Sequence, residues 1–310
     1  MSWLVELDKT KYDSGGNVFA NFSAMADDYL HANAKALGWF AQLSYEGDLG
    51  KIGEILDLYR LRLVQKISRS SPTILPVSET RCLIASREDA TIIGFGGTDP
   101  VSFANWITDF SFRPVHDVHG GFRAAADAVW DDIHAAAVDA HKAGRPVILT
   151  GHSLGGALAV LAASRLHDND LSPQAVYTYG MPRVGQPIFA QGYSAALGAR
   201  TFRLRHGGDI VPLAPLPQLG FYAFQHVGRF LQIDRFTIFR GKTPSADLRS
   251  NDPLASDAML RLFRESIANL MSGDFLEDQA AANNNLIFPR LPLGVSDHLP
   301  DRYLHALTCT

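Results

Sequence analysis

The sequence predicts the α/β class, with a central, mostly parallel sheet flanked by helices on both faces. Three observations predict it. Over roughly residues 120–205, short apolar runs of strand length alternate with segments of helical periodicity. The run 146–150 passes directly into Gly151-His152-Ser153-Leu154-Gly155 and then into a helix of small residues, a strand–turn–helix unit. The bulk composition is globular: 310 residues, 46% hydrophobic, net charge −4, enough to bury a large core.

The elements follow in chain order. Residues 23–45 read as a helix, with Ala26, Leu30, Ala34, Leu37 and Ala41 at helical spacing, and a second helix is expected over 49–66. The apolar runs 81–85 and 90–95, separated by the polar turn SRED, are a hairpin signal. A helix over 120–144 ends at a glycine. Next come a buried strand at 146–150, a helix from Ser153 to about Leu166, a strand at 175–179, a helix at 187–197 and a strand at 201–205. Beyond this point Pro212, Pro215 and Pro217 mark an irregular loop, and FYAFQHV and FLQIDRFTIF look like strands at a sheet edge. Residues 255–271 form an amphipathic pattern through Met259, Leu260, Leu262, Phe263 and Ile267, and a last short helix spans about 303–307. The whole, 1–310, is expected to be one domain with a cap-like insertion over about 213–290.

Composition also excludes functions. The charge balance gives no reason to expect nucleic acid, and the one basic cluster, Arg60, Arg62, Lys66 and Arg69, reads as a solvated helix face. The two cysteines, Cys82 and Cys309, build neither a disulfide framework nor a metal motif, and are expected to be unlinked thiols. His134 and His141 share a helix face, but no carboxylate or cysteine joins them; no metal and no cofactor are expected. No stretch has the length and apolarity of a membrane span, and the first residues do not read as a secretory leader. The expected location is cytoplasmic, or exported without a recognisable leader. Oligomeric state is not legible.

The five residues 151–155 match G-x-S-x-G in the setting that holds a nucleophile at the tip of a tight turn. A serine hydroxyl needs a histidine to accept its proton and a carboxylate to orient that histidine. Asp209 follows the strand TFRLR and two glycines, and a carboxylate at a strand exit can reach the sheet's active edge. Asp168 and Asp170 lie too near the nucleophile's own helix and suit a capping or solvating role. Among the later histidines, His226 sits in an apolar run and reads as structural, and His305 lies inside the last helix. His298, on the loop before that helix, is the best base, with Asp297 beside it a loop acceptor. His152 next to the nucleophile points away at a sharp turn and suits packing or hydrogen bonding.

A second glycine-rich element, Gly94-Phe95-Gly96-Gly97-Thr98-Asp99, lacks the last glycine and the following helix of a dinucleotide fingerprint. It fits a strand end that lends a donor to an oxyanion. Thr98 offers an N–H and a hydroxyl, Gly97 permits close approach, and the N–H of Leu154 is the second donor. Phe103, Trp106, Ile107 and Phe110 then fall at helical spacing, a short apolar-faced helix suited to a lid over about 99–112 that opens against a lipid surface.

With GFGGTDPVSFANWITDF, VHGGF, TGHSLGGALA, YTYGMPRVG, RLRHGGDIVP and DHLPDRY in this order, the chain resembles the class 3 lipases, the family of the fungal triacylglycerol lipases. The resemblance covers about 81–185, 201–212 and the surroundings of His298; before about residue 75 the similarity is only generally helical. It implies an α/β-hydrolase fold acting on acylglycerols or other carboxylic esters, with Ser153 as nucleophile, Asp209 as orienting acid and His298 as base. It also implies Thr98 and Leu154 as the oxyanion hole, Asp109 steadying the Thr98 hydroxyl, and a helical lid after Thr98. Phospholipase A1 or feruloyl-type esterase activity on the same scaffold, and a catalytically silent binding protein, are the alternatives. In the family an arginine usually follows the strand-end phenylalanine. Gly96 stands there in this chain, which puts the stability of the oxyanion loop or the resting position of the lid in doubt.

Overall fold

The computed structural model describes residues 6–70, 79–97, 114–115, 117–215, 224–233 and 293–308. The expected lid at 99–112, the helix at 255–271 and Cys309 lie outside these residues, as do Thr98, Phe103, Trp106, Ile107, Asp109 and Phe110.

Seven strands form the central sheet: β1 (Arg62–Ser70), β2 (Glu79–Ser86), β3 (Thr91–Gly96), β6 (Val147–His152), β7 (Ala175–Tyr179), β8 (Thr201–His206) and β9 (Arg229–Ile233), in that spatial order. The pairs β1/β2 and β2/β3 are antiparallel, and the rest of the sheet is parallel. A two-stranded ribbon, β4 (Pro114–Val115) with β5 (Val118–His119), stands apart.

Side chains alternate along each strand and so feed two cores. Cys82 (a buried free thiol), Ile84, Ile93, Phe95, Val147 and Leu149 face one side. There they meet α4 (Gly120–Asp127), α5 (Trp130–Lys142), α6 (Leu154–His167) and α7 (Pro187–Leu197). Leu83, Ala85, Ile92 and Ile148 face the other side, under α1 (Lys9–Ser14), α2 (His31–Leu43), α3 (Leu49–Leu58) and α9 (Pro300–Thr308), the last preceded by the short α8 (Leu293–Ser296). Each fully buried Leu, Ile or Phe contributes about 1.5–3 kcal/mol. The doubly covered sheet expected from the sequence is therefore present, with the hairpin of β2 and β3 in register.

Several boundaries differ from the expected ones. The helix expected over 23–45 begins only at His31, because the Asn33 side chain clamps Ser23 into a turn by accepting from its N–H and donating to its carbonyl. The helix expected over 49–66 stops at Leu58. Arg60 adopts φ +57°, the Leu61 N–H returns to the Leu56 carbonyl at 2.8 Å, and the chain leaves as β1. This is a left-handed helix terminus built on arginine in place of the usual glycine. The basic cluster is accordingly not a helix face. Lys66 lies on β1, its ammonium donates to the Ser44 carbonyl at 2.6 Å, and burial pulls its pKa down to about 8. The helix expected over 120–144 is broken at Ala128 and Val129 into α4 and α5; the second ends, as expected, at Gly144 with φ +65°. Within FYAFQHV, residues 224–227 form no strand beyond a bridge at Gln225, whereas Arg229–Ile233 pairs with β8. That part of the expected insertion thus belongs to the sheet.

Candidate active site

The parallel strands end on one edge, and the chemistry gathers there. At the end of β6 the backbone turns through Ser153, whose φ of 57° and ψ of −130° are unusual for a residue with a side chain. The Ser153 N–H is tied to the Tyr179 carbonyl of β7 at 2.8 Å, which fixes the turn. Glycine is required at the flank because a Cβ on Gly155 would overlap the Phe95 carbonyl oxygen of β3. Leu154 is the first residue of α6, so its N–H projects from the helix N-terminus without an intrahelical acceptor.

His298 reaches the serine from the loop between α8 and α9. Its Nε2 lies 2.9 Å from Ser153 Oγ and its Nδ1 2.9 Å from Asp209 Oδ2. With the Nδ1–H donating to the carboxylate, Nε2 is left as the acceptor for the serine hydroxyl. All three are buried: Ser153 is 1% exposed, Asp209 0% and His298 6%. The carboxylate is itself fully engaged. Oδ1 accepts from the Val211 N–H at 2.9 Å, and Oδ2 accepts a second hydrogen bond, at 2.5 Å, from the Tyr303 hydroxyl of α9. Burial first, and the neighbouring carboxylate second, hold that hydroxyl well above the ordinary phenol range, so it remains a donor.

The remaining sequence candidates fall into place around this line. Asp297 Oδ2 accepts from the Gly208 N–H at 2.7 Å, pinning the His298 loop to the turn that carries Asp209. His226 is structural, its Nε2 donating to the Pro212 carbonyl at 2.7 Å. His305 is exposed on α9, and Asp168 is the C-terminal cap of α6. His152 is buried, with Nε2 2.8 Å from the His298 carbonyl oxygen and Nδ1 2.8 Å from the Tyr45 hydroxyl. Desolvation holds it neutral, well below the usual histidine range. Gly97 sits where a Cβ would come within 3.1 Å of Ser153 Cβ, so the glycine-rich strand end abuts Ser153. At Gly96 a Cβ would lie 2.9 Å from the Ser44 carbonyl oxygen. The segment after α2 occupies the space a larger residue would need, and Arg81, opposite Gly96 in the sheet, donates to the Tyr45 carbonyl at 3.0 Å. No group of histidine, cysteine and acidic side chains suited to a metal ion occurs among the described residues.

The reading of sequence missed Tyr303, Tyr45 and the clamp on Ser44 and Tyr45. Tyr303 carries a weak signal, a tyrosine five residues beyond His298 on the helix that follows it. Tyr45 carries none, being joined to the site only by the fold.

The sheet order and the turn at Ser153 have the form of the α/β-hydrolase fold. Residues 92–219, a segment that runs from β3 past Asp209, match the family described as lipase (class 3). A secreted mono- and diacylglycerol lipase 1 of Fusarium solani is 40% identical over 134 residues, 39% of this chain and 38% of that protein. The chain thus spans about two-fifths of the length of that relative. Among solved structures, a lipase from Rhizopus microsporus var. chinensis matches with a TM-score of 0.53 at 27% identity, covering 69% of this chain and 79% of the other. A mono- and diacylglycerol lipase from Aspergillus oryzae matches with a TM-score of 0.57 at 21% identity over 70% and 85% of the two chains, which bears on the fold alone.

Proposed function

We propose that this protein is a serine carboxylic-ester hydrolase whose substrates are acylglycerols, triacylglycerol foremost. The observation that carries the reading is the continuous line from Ser153 Oγ through His298 to Asp209, with both spacings at 2.9 Å. Ser153 Oγ attacks the ester carbonyl as His298 Nε2 takes its proton, and Asp209 stabilises the imidazolium that forms. The developing oxyanion is held by the N–H groups of Leu154 and Thr98, with Asp109 steadying the Thr98 hydroxyl. His298 then protonates the departing alcohol, and a water activated by the same imidazole releases the fatty acid. The name of the Fusarium solani relative supports acylglycerols as the substrate class.

The segment over 99–112, with Phe103, Trp106, Ile107 and Phe110, serves as a lid that opens at a lipid–water interface, in a single domain over 1–310 with added cover from within 213–290. No described helix is long and apolar enough to cross a membrane. The Fusarium solani relative is named as secreted, which supports export for this chain.

The test is hydrolysis of short- and long-chain triacylglycerols above and below saturation, with and without Ser153→Ala. Loss of the nucleophile should cut kcat by about 10⁶-fold while leaving the folded state intact. A Ser153→Ala protein that turns over esters at the parent rate overturns the assignment, and a rate that rises smoothly through the solubility limit removes the lid. Phospholipid and feruloyl ester assays run beside it separate the neighbouring specificities.

A further inference from the structure

Tyr45 follows α2 and is buried, 1% exposed, against the far side of the nucleophile turn. Its hydroxyl makes three contacts. It lies 2.8 Å from His152 Nδ1, it lies 3.5 Å from the His152 carbonyl oxygen, and it packs against Gly97, where a Cβ would overlap it. The directions of the stronger bonds are fixed by chemistry. His152 Nε2 faces the His298 carbonyl oxygen at 2.8 Å; a carbonyl only accepts, so Nε2 carries the hydrogen. Nδ1 is then a lone pair, and the Tyr45 hydroxyl must donate to it. The His152 and His298 rings are also in contact, with centroids 4.7 Å apart and planes inclined by 32°.

One hydroxyl therefore touches the glycine that precedes Thr98 and, through His152, the main chain of His298. The tyrosine is itself anchored. Its carbonyl accepts from Arg81 and the preceding Ser44 carbonyl accepts from Lys66, so two cations from the sheet edge hold the segment in place. A tyrosine that merely filled space would not need this alignment of donors and acceptors.

We propose that Tyr45 is a positioning residue, which by way of its hydroxyl and His152 holds the Gly97 strand end and the His298 main chain in one fixed relation to Ser153. This rests on the assignment of Ser153, His298 and Asp209 given above. Small displacements of a base from its nucleophile are costly because the reaction needs a near-attack geometry.

The experiment compares Tyr45→Phe, His152→Leu, His152→Gln, the Tyr45→Phe/His152→Leu double variant and Ser153→Ala on soluble p-nitrophenyl butyrate, with thermal unfolding as a fold check. Tyr45→Phe keeps the ring and removes the hydroxyl, and should lower kcat about tenfold with KM unchanged within about twofold. His152→Gln retains an N–H where Nε2 stands but no acceptor for the Tyr45 hydroxyl, and should lose less kcat than His152→Leu, which should fall about tenfold or more. In the double variant the losses should be well short of multiplicative, since both act along one line of contacts. Parental kcat in Tyr45→Phe, a loss confined to KM, or fully multiplicative losses overturn the proposal. If Tyr45→Phe does not fold, the His152 pair carries the test, and equal kcat in the glutamine and leucine variants overturns it. Ester turnover by Ser153→Ala would instead overturn the triad assignment, so the two failures are told apart.

Discussion

Within five residues, Gly151 to Gly155, the chain leaves a strand, presents Ser153 and enters a helix, and the shape of that turn is set mainly by backbone: a positive φ, an N–H held by Tyr179, glycine where β3 presses close. His298 arrives at the same hydroxyl from 145 residues away, on a loop held by side chains. Tyr303, Asp297, His152 and Asp209 come from α9, from the loop itself and from two strand ends. Local backbone sterics largely place the Ser153 hydroxyl, whereas placing the His298 imidazole beside it takes a network whose members share no sequence neighbourhood. Damage to the first should appear as lost folding and damage to the second as lost rate.

The largest effect on the base side is expected from Asp209→Asn, which keeps the shape and removes the charge that fixes the histidine tautomer. Steady-state hydrolysis should show kcat lower by about 10⁴-fold with an unchanged melting temperature. Retention of activity within tenfold would break the comparison at its strongest point. On the nucleophile side, Gly155→Ala should cost about 3 kcal/mol of stability, since its methyl meets a strand carbonyl that has no room to yield. Chemical denaturation measures this, and a fully stable variant would mean the turn has slack the geometry does not suggest.

Smaller effects sharpen the picture. Tyr303→Phe removes one donor from the Asp209 carboxylate and should lower kcat about tenfold, with little change in fold by circular dichroism. His119, outside both regions, serves as a control. Its Nδ1 accepts from the Phe122 N–H to cap α4, and burial pushes its pKa down to about 4. The unfolded chain binds a proton near pH 6.5 and the folded one does not until about pH 4, so stability is lost as pH falls through that window. The slope from this one residue approaches about 1.4 kcal/mol per pH unit. His119→Asn keeps a capping acceptor that does not titrate; its unfolding free energy, followed from pH 7 to pH 4, should fall less steeply than the parent's. Identical slopes would assign the acid sensitivity to other groups.

The same division governs what could be read from sequence. The turn at Ser153, the hairpin of β2 and β3, and the strands after it were legible because each depends on neighbours in the chain. Asp209 was legible as a carboxylate at a strand exit. His298 was reached by setting its rivals aside and by resemblance, and its helpers were not legible, because Tyr45 meets His152 only across 107 residues. β1 was mistaken for helix since Arg60 supplies the left-handed stop that a glycine would have announced. The break between α4 and α5 escaped for a related reason: Ala128 and Val129 carry no breaker signal, and the Ala128 N–H still bonds back to Ala124.

The helix that follows the base, α9, lies on α2, where a Cβ on Gly38 would come within 3.3 Å of Leu307 and 3.4 Å of Leu304. A growing polypeptide completes its elbow, and with it the Ser153 hydroxyl, 145 residues before His298 is made. On the proposed reading, hydrolysis is thereby withheld until α9 has docked onto α2, and a product cut short before α8 carries the Ser153 hydroxyl without its partner imidazole.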